Sequence, residues 1–212
     1  MKDMKIIDLS ENEKLSDFEN TKLILITNIT ESNIKNAITI AESASASESV
    51  TVGIISGSIN PLNQNMRRLS DSVDAVILSP GKIEDSSSRI VEAISDLVTK
   101  SGFVNLDIED VKEILRDAGT VYFGAGTAKS SATAALKACD MCGNISGAKR
   151  FLVNVTTGTE ARLSEFSDAA HVIEMNADPD AQMIWGHVID ENIGENVKVS
   201  VFAAMNDKNS EA

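Results

Sequence analysis

Apolar and polar positions along the 212-residue chain fall into two spacings, and the switches between them mark the elements. Leu23-Ile24-Leu25-Ile26-Thr27, Val50-Thr51-Val52-Gly53-Ile54-Ile55 and Ala75-Val76-Ile77-Leu78 are short continuous apolar runs, the pattern of strands buried on both faces. Between the first two, Ile34, Ala37, Ile38, Ala41 and Ala44 recur at helical spacing, and a shorter helix around Met66 to Leu69 precedes the third. Ile83, Ile90, Val91, Ile94, Leu97 and Val98 then predict one amphipathic helix over residues 84 to 100, stopped by Ser101-Gly102. Val111, Ile114, Leu115 and Ala118 open another. This succession predicts a parallel sheet with helical crossovers. Residues 1 to 20 are polar apart from Ile6, Ile7, Leu15 and Phe18, and predict an arm or a short strand and helix.

The second half reads strand, helix, strand, helix, strand, strand. Strands are expected at Thr120 to Phe123, within Gly147 to Val155, around Ile184 to Val188, and where Val197, Val199 and Val201 alternate. The helices are Ser131 to Met141, with Ala135, Leu136 and Cys139 inward, and Ser164 to Met175, with Phe166, Ala169, Ala170 and Ile173 inward. The expected fold is therefore α/β in three parts. Residues 1–83 form a partial, Rossmann-like parallel half domain, residues 84–118 a long central helix with its loop and following helix, and residues 119–212 a small α/β domain. Its mixed four-stranded sheet is expected to be covered by helices on one face.

Composition narrows the partners. The 19 Lys and Arg against 32 Asp and Glu leave a net charge of −13, which repels nucleic acid and anionic membrane. No apolar run approaches transmembrane length and the N-terminus lacks a signal peptide's apolar core, so a cytoplasmic location is expected. Cys139-Asp-Met-Cys142 has metal or redox spacing, with His171 and His187 as further candidate ligands. Both thiols fall near the C-terminal end of a helix, where the dipole disfavours thiolate, so buried reduced cysteines are expected, with no metal or cofactor. His187 lies within an apolar strand and reads as a satisfied core histidine, with Trp185 on the same face. Gly124-Ala-Gly-Thr-Ala-Lys129 lacks the second glycine of a phosphate-loop motif and reads as a strand end with turn glycines.

Two loops carry the candidate chemistry. In Gly102-Phe-Val-Asn-Leu-Asp-Ile-Glu-Asp110, the residues Asn105, Asp107 and Asp110 converge on one corner, and Asp107 has the position and chemistry of a helix N-cap. In Asn28-Ile-Thr-Glu-Ser-Asn33, which leaves the first long strand where an open parallel sheet would cradle phosphate, there is no glycine, and Glu31 stands in the middle.

The first loop resembles the synergy loop of the FtsZ and tubulin family: Asn-Leu-Asp, a second acid three residues on, then Val, between a long helix and a shorter one. Asp178-Pro-Asp-Ala-Gln-Met-Ile-Trp-Gly-His-Val-Ile-Asp-Glu191 is the longest distinctive match, and the resemblance is nearly continuous from the loop to Ala204. It implies that Asn105, Asp107 and Asp110 stand where the family polarises the water attacking the terminal phosphate in the next subunit's pocket. It also implies departures. The family's glycine-rich signature is replaced by Asn28–Asn33, its earlier strands lack a counterpart, and the end Asn206 to Ala212 lacks the linker and apolar peptide that meet membrane adaptors.

The expected protein is thus a truncated, degenerate FtsZ-like chain that neither binds GTP tightly nor hydrolyses it alone. It would be a non-catalytic component of a cell-division or cytoskeletal system, docking through Asn105, Asp107 and Asp110 and its C-terminal domain onto FtsZ. Two other readings remain. One is a nucleotide-free homodimer formed through the sheet edge at Leu23 to Thr27 or the N-terminal arm. The other is a small-molecule enzyme with Asp107 and Asp110 as acid and base, in the crevice beyond Thr27, Ser56 and Ser79.

Overall fold

The computed structural model describes residues 3–11, 18–55, 59, 63–79, 86–160 and 163–205. Expectations resting on Leu15, Ser56, Ile83 and residues 206–212 lie outside them. Among the described residues, eight strands form one sheet in the order β1-β2-β3-β4-β5-β8-β6-β7. They are β1 (Met4–Asp8), β2 (Leu23–Ile29), β3 (Val50–Ile55), β4 (Ala75–Leu78), β5 (Gly119–Ala128), β6 (Arg150–Thr157), β7 (Gln182–Ile189) and β8 (Val197–Ala204). β1 to β5 run parallel, and β8 inserts antiparallel to both β5 and β6. β7 then pairs parallel with β6 at the edge. The expected C-terminal four strands are present, and the β4 to β5 pairing joins them to the parallel half.

Among the described residues, six α-helices cover this sheet: α1 (Ile34–Ala44), α2 (Gln64–Ser72), α3 (Ser86–Thr99), α4 (Ile108–Leu115), α5 (Ser131–Cys142) and α6 (Leu163–Asn176). The continuous apolar runs are explained by burial on both sides. Along β2, Leu23 and Leu25 face α3 and α4 in one cluster, while Ile24 and Ile26 face α1 in another. The α3/α4 cluster crosses from the parallel half into the mixed half, taking in Val121, Phe123, Leu152 and Phe202, with the two phenylalanine rings 4.8 Å apart. α5 and α6 cover the opposite face of the mixed half. That half is therefore covered on both faces, because the central helices supply the side its own helices leave open.

Other expectations are corrected by packing. Leu136 is exposed, whereas Ala135 and Cys139 turn inward as expected, together with Ala134, Ala138 and Cys142. Gly124 and Gly126 are not turn glycines. They lie inside β5, where an added Cβ would come within 2.1 Å of the carbonyl oxygens of Ala138 and Ala134, respectively. The small residues on both elements let helix and strand backbones nearly touch. The first strand, β1, pairs with β2 along Met4 to Asp8, so Leu23 to Thr27 is an interior strand and not an edge. No helix among the described residues is long and apolar enough to cross a membrane.

Candidate functional site

The acidic loop runs from the end of α3 to the start of α4, and its shape follows from local hydrogen bonds. Asp107 is the N-cap of α4: its Oδ1 accepts from the backbone N–H groups of Glu109 (2.7 Å) and Asp110 (3.1 Å). Asp110 answers by accepting the Asp107 N–H at Oδ2, 2.7 Å, completing a capping box. Asn105 folds back, its Oδ1 accepting from Gly102 N at 2.8 Å. The three candidate residues thus stand together on the loop and the first turn of α4, and each also shapes the backbone that presents it. The capping uses one oxygen of each carboxylate.

Tertiary contacts fix where the loop sits. Its first half lies along the outer edge of β7: Val104 O accepts from His187 N at 2.9 Å, and Ser101 O from Ile189 N at 3.0 Å. Gly102 passes so close to β7 that a Cβ there would fall 1.7 Å from the His187 carbonyl oxygen. Phe103 wraps over the edge and stacks on the His187 ring, centroids 4.7 Å apart, while remaining 61% exposed. Val104 beside it is 40% exposed. On the other side, Glu109 pairs with Lys22 (3.0 Å) and Lys112 (2.8 Å), which hold its carboxyl below the usual range, Lys112 more strongly than Lys22.

Lys22 immediately precedes β2, and a cavity of about 340 Å³ lined by Asp3, Lys22, Asp107 and Glu109 opens between loop and strand starts. A larger cleft of about 1080 Å³ adjoins it, lined by Asp3, Glu19, Lys22, Glu48 and Glu109 among others. The loop therefore stands at the N-terminal ends of β1 and β2. The crevice considered for an enzyme lies beyond Thr27 and Ser79, at the opposite ends of the strands, so Asp107 and Asp110 do not serve it.

The end of β2 and the turn that follows it close on themselves. Asn28 adopts φ 56°, and the Asn33 side chain accepts from Thr30 N (2.7 Å) and donates to Asn28 O (3.0 Å). Glu31 accepts from Asn63 Nδ2 at 3.0 Å. Asparagine thus supplies the left-handed residue and the internal partners of a turn that has no glycine.

Both cysteines are free thiols in the α5/α6 cluster. Burial, with a smaller contribution from Asp140, pushes Cys139 up to about 11; burial, then Cys139, raises Cys142 further. His171 is exposed on α6, and His187 is 3% exposed with both ring nitrogens bonded. Among the described residues no group of His, Cys, Asp and Glu has an arrangement that could hold a metal ion. The sequence offered no signal for Phe103, Lys22 or His187 as parts of the loop's setting, because 84 positions separate Phe103 from His187.

The eight-stranded mixed sheet, with α3, the capped acidic loop and α4 along one face, has the fold of solved FtsZ-type structures. An empty FtsZ dimer from M. jannaschii matches 88% of the chain with a TM-score of 0.74 at 21% identity, covering 64% of that structure. CetZ from Methanosaeta thermophila matches 88% of the chain with a TM-score of 0.64 at 14% identity, covering 62% of that structure. Residues 119–206 match the model of the FtsZ family, C-terminal domain. Cell division protein FtsZ 1 of Halobacterium salinarum is 31% identical over 197 residues, 78% of this chain and 50% of the relative. The chain is an FtsZ-like protein, and it spans about half the length of the curated relatives it matches.

Proposed function

We propose that this FtsZ-like chain is a non-catalytic, cytoplasmic interaction component that docks through the loop bearing Asn105, Asp107 and Asp110 onto the nucleotide-bearing end of an FtsZ subunit. The observation that carries the reading is the loop's construction. It is held by its own capping box and by β7, and it projects Phe103 and Val104 beside two carboxylates that each use only one oxygen in capping. An apolar anchor next to charged groups suits a specific protein surface. The absence of turnover is supported by the Asn28–Asn33 turn, whose Thr30 N–H is spent on Asn33 and whose Glu31 would repel phosphate.

The test is co-sedimentation with a purified FtsZ, together with that FtsZ's GTPase rate. Binding and a changed rate are expected with the wild-type chain, and loss of both with Asp107→Asn plus Asp110→Asn, which keeps side-chain oxygens able to accept the capping bonds. No co-sedimentation with folded wild-type protein would sink the reading.

A second reading is favoured by one observation. β1 is an outer strand, Ile6 on it is 37% exposed, and no other described strand pairs along its far side. Two copies joining there would form a nucleotide-free homodimer.

A further inference from the structure

We infer that His187 is the positioning residue of Phe103 in the acidic loop: beside the backbone bonds that hold Ser101 and Val104 to β7, its neutral ring latches Phe103, and protonation of that ring releases it. The inference rests on the docking reading only for its consequence, since the latch itself belongs to the isolated chain.

The geometry assigns every proton. Phe103 N–H donates to His187 Nδ1 at 3.1 Å, so Nδ1 must carry a lone pair. Nε2 lies 2.9 Å from Thr157 Oγ1, and that hydroxyl donates onward to Gly158 O at 3.2 Å. With its hydrogen spent there, Thr157 can only accept, which places the ring's single proton on Nε2. The neutral tautomer thus completes a relay from the loop amide through the ring to the end of β6.

A second proton has one place to go, and it would set a donor at Nδ1 against the donor of Phe103. The hydrogen bond from the Phe103 N–H would be lost, and the Phe103 ring stacked on the imidazole would face a buried cation needing a new partner. The neighbours from each side do not supply one ready-made. Thr157 from β6 and Phe103 from the loop are neutral, and Gly102 packs its backbone against the His187 carbonyl. From α6, Glu165 acts on the ring through space and favours the proton, but burial outweighs it and lowers the pKa. Near α3, Lys100 is tied to Asp96 (3.0 Å) and to Asp190 (3.4 Å) just beyond β7, so that charge set is already engaged.

The sign follows from linkage. The unfolded or unlatched histidine takes its proton near pH 6.5, and the latched ring takes it at lower pH. The latch is therefore at full strength above the unlatched value and weakens as pH falls below it. Docking that needs the ordered loop would weaken in the same window.

The test uses the chain alone, followed by NMR from about pH 7.5 to about pH 5. Ring nitrogen shifts should report the Nε2–H tautomer at neutral pH, and protection of the Phe103 amide, corrected for intrinsic exchange, should drop by about tenfold as the ring titrates. In His187→Asn, whose Oδ1 can stand in for Nδ1 without titrating, the same amide should show no such pH step. A Phe103 protection factor that stays constant through the His187 titration, or an Nδ1–H tautomer at neutral pH, overturns the inference. If the wild-type step appears but FtsZ fails to co-sediment at any pH, the latch stands and the docking reading falls.

Discussion

Asp107 caps α4 through one of its carboxylate oxygens, and the proposed docking would engage the other. Its Oδ1 accepts from Glu109 and Asp110, and Asp110 returns the favour. Replacing Asp107 by Ala removes the acceptor and should cost about 1 kcal/mol of stability, whereas Asn retains one and should cost far less. Urea denaturation of the two variants measures the difference, and equal losses would show that the cap contributes nothing here. The capping role was legible in the sequence because an N-cap depends on residues three apart. The loop's attachment to His187 was not, because periodicity says nothing about which distant strand a loop will meet. His187 was legible as a satisfied core histidine, and it is one, but its partner Phe103 was invisible.

Among the elements, β5 and α5 depend most on the absence of side chains. Gly126 faces the Ala134 carbonyl and Gly124 the Ala138 carbonyl, both at 2.1 Å from an added Cβ. A backbone oxygen cannot rotate aside as a side chain can, so helix and strand would have to separate. Gly126→Ala is expected to destabilise by about 1–3 kcal/mol, the usual cost of overpacking. A denaturation midpoint matching wild type would mean the helix can shift freely. The short buried strands were read correctly from their apolar runs, since burial on both faces leaves no polar position. The glycine run of β5 was misread because glycine marks both turns and close approaches, and only the packed helix distinguishes them.

At the scale of the whole molecule, the balance lies between an outer strand that invites pairing and a net charge of −13 that opposes it. If β1 is a dimer contact, light scattering should give a dimer whose fraction rises with salt as the repulsion is screened. Ile6→Lys should return it to monomer, as charge protects natural edges. A monomer mass at every protein and salt concentration would exclude this assembly.

The order of elements, the two-sided burial of β2 to β4, the acidic surface and the capped loop were all determined by the sequence itself. Each rests on spacing between near neighbours or on composition, quantities that a linear pattern contains. Only the tertiary structure decided that β1 shields β2 from the edge and that α3 and α4 back both halves of one sheet. It also decided that the acidic loop sits at the N-terminal strand ends, fastened to β7. Those choices depend on strands and loops far apart in the chain meeting through backbone hydrogen bonds, which every residue offers alike and which leave no signature in residue type.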